Sequence, residues 1–120
     1  MRVPGQLKAL LDHWGCYWIT HRPDPKLAHK RFLVVTQGIG APCRGALRDV
    51  MNALTWMGVS DIRTLGLKLM EGIVWSEISE RRRNSFTSQL HKLAHRAVKD
   101  PPIKRCSLKV RLIFGMIRGL

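Results

Sequence analysis

The chain has 120 residues, is 45% hydrophobic and 24% charged, and carries a formal net charge of +13. That length suits a single domain with a real core, and the composition excludes wholesale disorder. No apolar run approaches the roughly 20 residues that span a bilayer, and the opening Met-Arg-Val-Pro-Gly-Gln lacks the apolar core of a signal peptide, so a cytoplasmic location is expected.

Pro4 and Gly5 open a segment in which Leu7, Leu10, Leu11 and Trp14 recur at helical spacing and share one face of a helix that Gly15 ends. Cys16 to Pro25 reads as a loop, because Pro23 and Pro25 exclude helix; its Tyr17 and Trp18 either border a ligand pocket or cap the core. Phe32 to Thr36 is too poor in polar residues to have a wet face, which predicts a strand buried on both sides. A Thr-Gln-Gly-Ile-Gly turn follows it. Leu47, Val50, Met51 and Leu54 then mark a helix face, with Gly58 placed as its C-terminal cap. Ile62 to Leu67 reads as a second strand, diluted by Arg63 and Thr64 and weakened by Gly66. Strand, helix and strand at this spacing predict a right-handed βαβ unit with parallel strands, the grammar of an α/β fold.

Trp75-Ser-Glu-Ile78 is expected to start the last clear helix. Acids Glu77 and Glu80 near its start and Lys92, His95 and Arg96 near its end suit the macrodipole, while Ile78, Phe86, Leu90, Leu93 and Ala97 supply a buried face. Asp100-Pro101-Pro102 stops it. The remaining tail, Ile103 to Leu120, mixes apolar and basic residues and reads as an extra helix docking on the domain or on a partner subunit, with a membrane-surface helix as the alternative. Residues 1–98 thus form the domain and 99–120 a basic amphipathic tail.

Cys16, Cys43 and Cys106 are odd in number and form no Cys-x-x-Cys pair, which argues against a disulfide framework and a zinc site. Cys43 reads as a small packing residue; the alternative is a reactive thiol, because it stands near a helix start, where the dipole favours a thiolate. His91 and His95, four apart on one helix, lack a third ligand nearby and read as solvent-facing. Much of the basic charge sits on Arg81-Arg82-Arg83 and the tail, without a nucleic-acid motif.

Gly38-Ile-Gly40-Ala-Pro-Cys43 is a near miss to the dinucleotide fingerprint, with Cys43 where the third glycine should stand. Its glycines expose backbone N–H groups ahead of a helix N-terminus; a tight turn without a ligand is the plain structural alternative. Three blocks in order, Pro4-Gly-Gln-Leu-Lys-Ala-Leu-Leu-Asp-His with His21-Arg-Pro, Lys30-Arg-Phe-Leu-Val-Val-Thr-Gln-Gly-Ile-Gly and Leu54-Thr-Trp-Met-Gly-Val, resemble the C-terminal half of flavodoxin-like NAD(P)H-dependent FMN oxidoreductases. The resemblance covers about Pro4 to Val98. It implies a partial flavodoxin-like, doubly wound parallel sheet in which Phe32–Thr36 and Ile62–Leu67 are the fourth and fifth strands. Thr36, Gln37, Gly38, Ile39 and Gly40 would lie along an FMN that takes hydride from NAD(P)H and passes electrons to a small acceptor such as a quinone or flavin. No side chain here need act as acid, base or nucleophile.

Relative to that family, the phosphate loop after the first strand and the second flavin loop after the third are missing, so the chain is expected to be truncated at its N-terminus, with weakened cofactor affinity. Its first strand should expose an apolar edge, which predicts aggregation, strand exchange, a homo-oligomer or a complementing chain. Two other readings stand beside this one. In the first, a small basic module binds nucleic acid, an anionic surface or a protein partner through Arg81 to Arg83 and the tail; in the second, Cys43 is an enzymic nucleophile.

Overall fold

A pair of parallel strands sandwiched between helices forms the centre of the fold in a computed structural model, which describes residues 3–15, 26–40, 43–69 and 74–118. In chain order the elements are helix α1 (Gly5–Trp14), strand β1 (Arg31–Ile39), helix α2 (Arg44–Trp56), strand β2 (Asp61–Leu69), helix α3 (Glu80–Lys99) and helix α4 (Leu108–Arg118). Short 3-10 turns precede β1 at Leu27–His29 and α3 at Trp75–Glu77. The strands run in parallel register from Arg31 opposite Asp61 to Ile39 opposite Leu69, with α2 as their crossover. Among the described residues the sheet has these two strands.

One sheet face is well covered. Phe32, Val34 and Ile62 pack with Val50 and Leu54 of α2, and Met57, Val59, Leu11 and Trp14 complete that cluster. Helix α2 ends in a Schellman turn: Gly58, at φ +98°, donates to Thr55 O, and Val59 donates to Leu54 O. Gly58 is needed twice over, because a Cβ there would also come within 2.7 Å of the Phe114 ring in α4. Helix α4 buries Val110 and Ile113, and Ser107 N–H donates to Ser60 Oγ at 3.1 Å, so this part of the tail docks on the domain.

The second face is only half covered, which corrects the expectation that β1 is buried on both sides. Helix α3 packs Phe86, with Ile78, over Leu67, Leu65 and Leu69 of β2. Leu33, Val35 and Ile39 of β1, on the same face, are 42%, 46% and 59% exposed. An apolar run reports that a strand avoids water, and leaves open which element supplies the cover. The expected helix from Trp75 is likewise divided: Ile78 and Ser79 are extended and α3 begins at Glu80. The break turns Ile78 into the cluster with Leu67 and Phe86. In α1, Leu11 and Trp14 pack against the core while Leu7 and Leu10 stay largely exposed. Tyr17, Trp18 and Cys16 lie outside the described residues.

Candidate functional site

The carboxyl end of β1 holds the residues that the sequence singles out. Four of the five, Thr36, Gln37, Gly38 and Ile39, belong to the strand and not to a loop, paired with Gly66, Leu67, Lys68 and Leu69. Only Gly40 lies past the ladder. It adopts φ +73°, the left-handed region that suits glycine, and donates its N–H to Leu69 O at 3.0 Å. A Cβ on Gly40 would meet nothing within 4 Å, so the space beside its backbone is open.

In a parallel ladder, N–H and C=O of one residue point to the same side and alternate along the strand. Gly40 N–H points towards β2, so the even-numbered residues of β1 bond to β2 and Leu33, Val35, Gln37 and Ile39 direct their backbone groups to the outer edge. Cys43 agrees with this phase: its thiol donates to Gln37 O at 3.1 Å. Cys43 is buried and its S–H donates to that carbonyl, the arrangement of a packing residue and not of an exposed nucleophile.

Side chains at this end divide by face. Thr36 lies on the α2 side; its Oγ1 is buried without a hydrogen-bond partner, near Gly66 and Leu47. Gln37 and Ile39 are exposed on the α3 side. Helix α2 starts at Arg44, so the free N–H groups of its first turn and its positive dipole end stand at the same end of the sheet. Lys68, exposed opposite Gly38, adds a cation that sequence reasoning passed over, because a lysine at a strand end reads as merely solvated. Ala41 and Pro42 lie outside the described residues.

Tested against the implied FMN, these residues offer the edge of a flat ring open space beside Gly40, the outward-directed groups of Ile39 with the N–H of Gln37, and an exposed apolar side chain at Ile39. Contrary to the sequence expectation, the glycine N–H groups are not free, since Gly38 lies in the ladder and Gly40 donates to Leu69 O. The Thr36 hydroxyl is turned away from that edge. A groove of about 420 Å³ between α1 and α2, lined by residues such as Leu11, Asp12 and Asp49, includes none of residues 36–43.

At the opposite end of the strands lies an ionic network unconnected with that loop. Arg31 Nε donates to Asp61 Oδ2 at 2.5 Å, and its guanidinium also reaches the carbonyls of Ala97, Asp100 and Pro101. Arg63 donates to Asp61 Oδ1 at 3.3 Å and to Asp100 Oδ2 at 2.5 Å. Partial burial works to raise the Asp61 pKa, but the hydrogen bonds and charges of Arg31 and Arg63 outweigh it and hold the carboxyl below its ordinary range. Arg63 is raised, first by Asp100 and then by Asp61. The network ties the C-terminal end of α3 to the start of both strands, a structural role.

Both His91 and His95 are exposed on α3, and among the described residues no group of three or more His, Cys, Asp or Glu is placed to hold a metal. No helix among those residues is long and apolar enough to cross a membrane. Compared with known protein families, curated proteins and solved structures, the chain matches none.

Proposed function

We propose that the carboxyl end of β1 is one wall of a flavin site, and that the chain is the C-terminal portion of a flavodoxin-like NAD(P)H-dependent FMN oxidoreductase serving a small acceptor such as a quinone or flavin. The observation that carries this reading is Gly40: a left-handed residue with open space beside it, where a parallel β-α-β unit turns from strand to helix. Open parallel sheets bind ligands outside the carboxyl ends of their strands. Thr36 to Gly40 form the wall, with Ile39 offering outward backbone groups and a flat apolar contact, Gln37 its N–H and Gly40 the open space beside it, while the Thr36 side chain stays in the core. Bound FMN supplies the hydride and electron transfer; the protein's part is to position it and exclude water. A cytoplasmic setting goes with the reading. FMN added to isotopically labelled protein should shift the amide resonances of Gln37 to Gly40 and leave those of Arg31 and Asp61 unmoved. Shifts confined to other surfaces would refute the assignment.

One observation favours a second reading as a basic interaction module. Arg81, Ser85, Ser88, Lys92, His95, Arg96 and Lys99 form an exposed, acid-free stripe along the 20 residues of α3, a length of about 30 Å. The stripe carries no large apolar residue to enter a bilayer, so phosphate in water is its better match. Binding of a short DNA duplex should then weaken steeply with salt, and replacing Arg81, Lys92, Arg96 and Lys99 by Gln should lower the log–log salt slope by about 3 to 4. An unchanged slope would remove this reading.

A further inference from the structure

We propose that the outer edge of β1 is a dimer interface, occupied by β1 of a second copy of this chain. Leu33 and Val35 direct N–H and C=O away from β2, and among the described residues no strand pairs with them. Such an edge is a template for another strand unless charge, proline or a covering element blunts it. Phe32 to Ile39 contains neither a charged residue nor a proline. The apolar side chains of Leu33, Val35 and Ile39 flank the edge, exposed on the face that α3 leaves bare.

Surface area sets the scale. A compact monomer of 13.7 kDa exposes about 6,600 Å². This chain exposes 8922 Å², and its radius of gyration is 16.7 Å against about 14 Å for a compact chain of 120 residues. The excess is more than the roughly 800 Å² per partner that a standard stable interface removes.

A second copy suits the edge for reasons of charge and symmetry. Each chain is strongly basic, and the segment Phe32 to Ile39 is an uncharged stretch where two copies approach without opposing charges in contact. A two-fold axis perpendicular to the sheet pairs β1 with its mate in antiparallel fashion, joins the two sheets into one of four strands, and brings the two apolar stripes side by side between the two α3 helices. Because the axis reverses direction, the two Gly40 ends lie at opposite ends of the paired strands. Leu33 and Val35 have no part in the flavin reading, so lysine variants at these two positions test the pairing apart from it.

Sedimentation equilibrium of the purified chain at about 0.1 mM tests it. The wild type should have twice the 13.7 kDa mass, with association that tightens as salt screens repulsion between two basic chains. Val35→Lys and, separately, Leu33→Lys should weaken association by about 100-fold, while Val98→Lys, on a residue 86% exposed on α3, leaves it unchanged. Should either lysine variant fail to fold, amide exchange of the wild type decides: slow exchange at Leu33 and Val35 supports the pairing, and fast exchange overturns it. A wild-type mass of 13.7 kDa, open-ended association without a dimer plateau, or a dimer indifferent to both lysine variants would each overturn it, the last pointing to a different surface.

Discussion

Two glycines show how one residue type answers different physical demands. Gly40 and Gly58 both have positive φ, but only at Gly58 would a Cβ collide, at 2.7 Å from Phe114 Cζ. Gly40→Ala should cost about 1 kcal/mol from backbone strain alone, whereas Gly58→Ala should cost about 3 kcal/mol, since α4 must also shift. Urea unfolding of the two variants measures the difference. Asp61 yields a pH prediction. Its folded-state pKa is depressed, so its contribution to stability is fully present above the ordinary carboxylate pKa and is lost as pH falls through the lower folded value. Wild-type stability should thus fall below about pH 4, and Asp61→Asn should be less stable at neutral pH and show a shallower acid loss. Equal pH dependence in the two proteins would show that the Arg31 and Arg63 contacts carry no linkage.

Among the elements, the hold of α3 on β2 rests on one ring. Phe86 is the buried side chain of α3, packed with Ile78 and Leu67, while Leu90 is largely exposed. Phe86→Ala should cost about 3 to 4 kcal/mol, and the same measurement on Leu90→Ala should show less than about 1 kcal/mol. Helical spacing made all of Ile78, Phe86, Leu90, Leu93 and Ala97 look alike, because periodicity reports a face without reporting how much of it a two-stranded sheet is wide enough to cover. The same cause hid the bare side of β1. By contrast, the order of strand, helix and strand, the parallel pairing and the Gly58 cap were legible, since each depends on local patterns: an apolar run, a helical stripe and a glycine just past it. Both strands run past the apolar stretches that mark them, to Ile39 and Leu69. Gln37 to Ile39 look like a turn because of Gly38, yet that glycine sits within the ladder opposite Lys68. The Arg31–Asp61–Arg63–Asp100 network was also beyond a linear reading, because it joins residues as far apart as 69 positions.

At the scale of the whole molecule, three features share one surface economy: a basic helix, an apolar edge and a glycine end. Asp12 pairs with Lys8, Asp61 with Arg31 and Arg63, and Asp100 with Arg63, while Arg81, Lys92, Arg96 and Lys99 keep one exposed stripe of α3 basic. The edge and the glycine end meet at Ile39, while Leu33 and Val35 belong to the edge alone and Gly40 to the glycine end alone, so variants at these positions separate self-association from ligand binding. The flavin site proposed at Gly40 is tested by titrating the purified chain with FMN, followed by flavin fluorescence, alongside Gly40→Val. Saturable binding that the variant reduces by at least about tenfold, with its helical and strand content unchanged, is the predicted result. A folded wild type that leaves FMN fluorescence unaltered, or that binds equally well with valine at position 40, would contradict it.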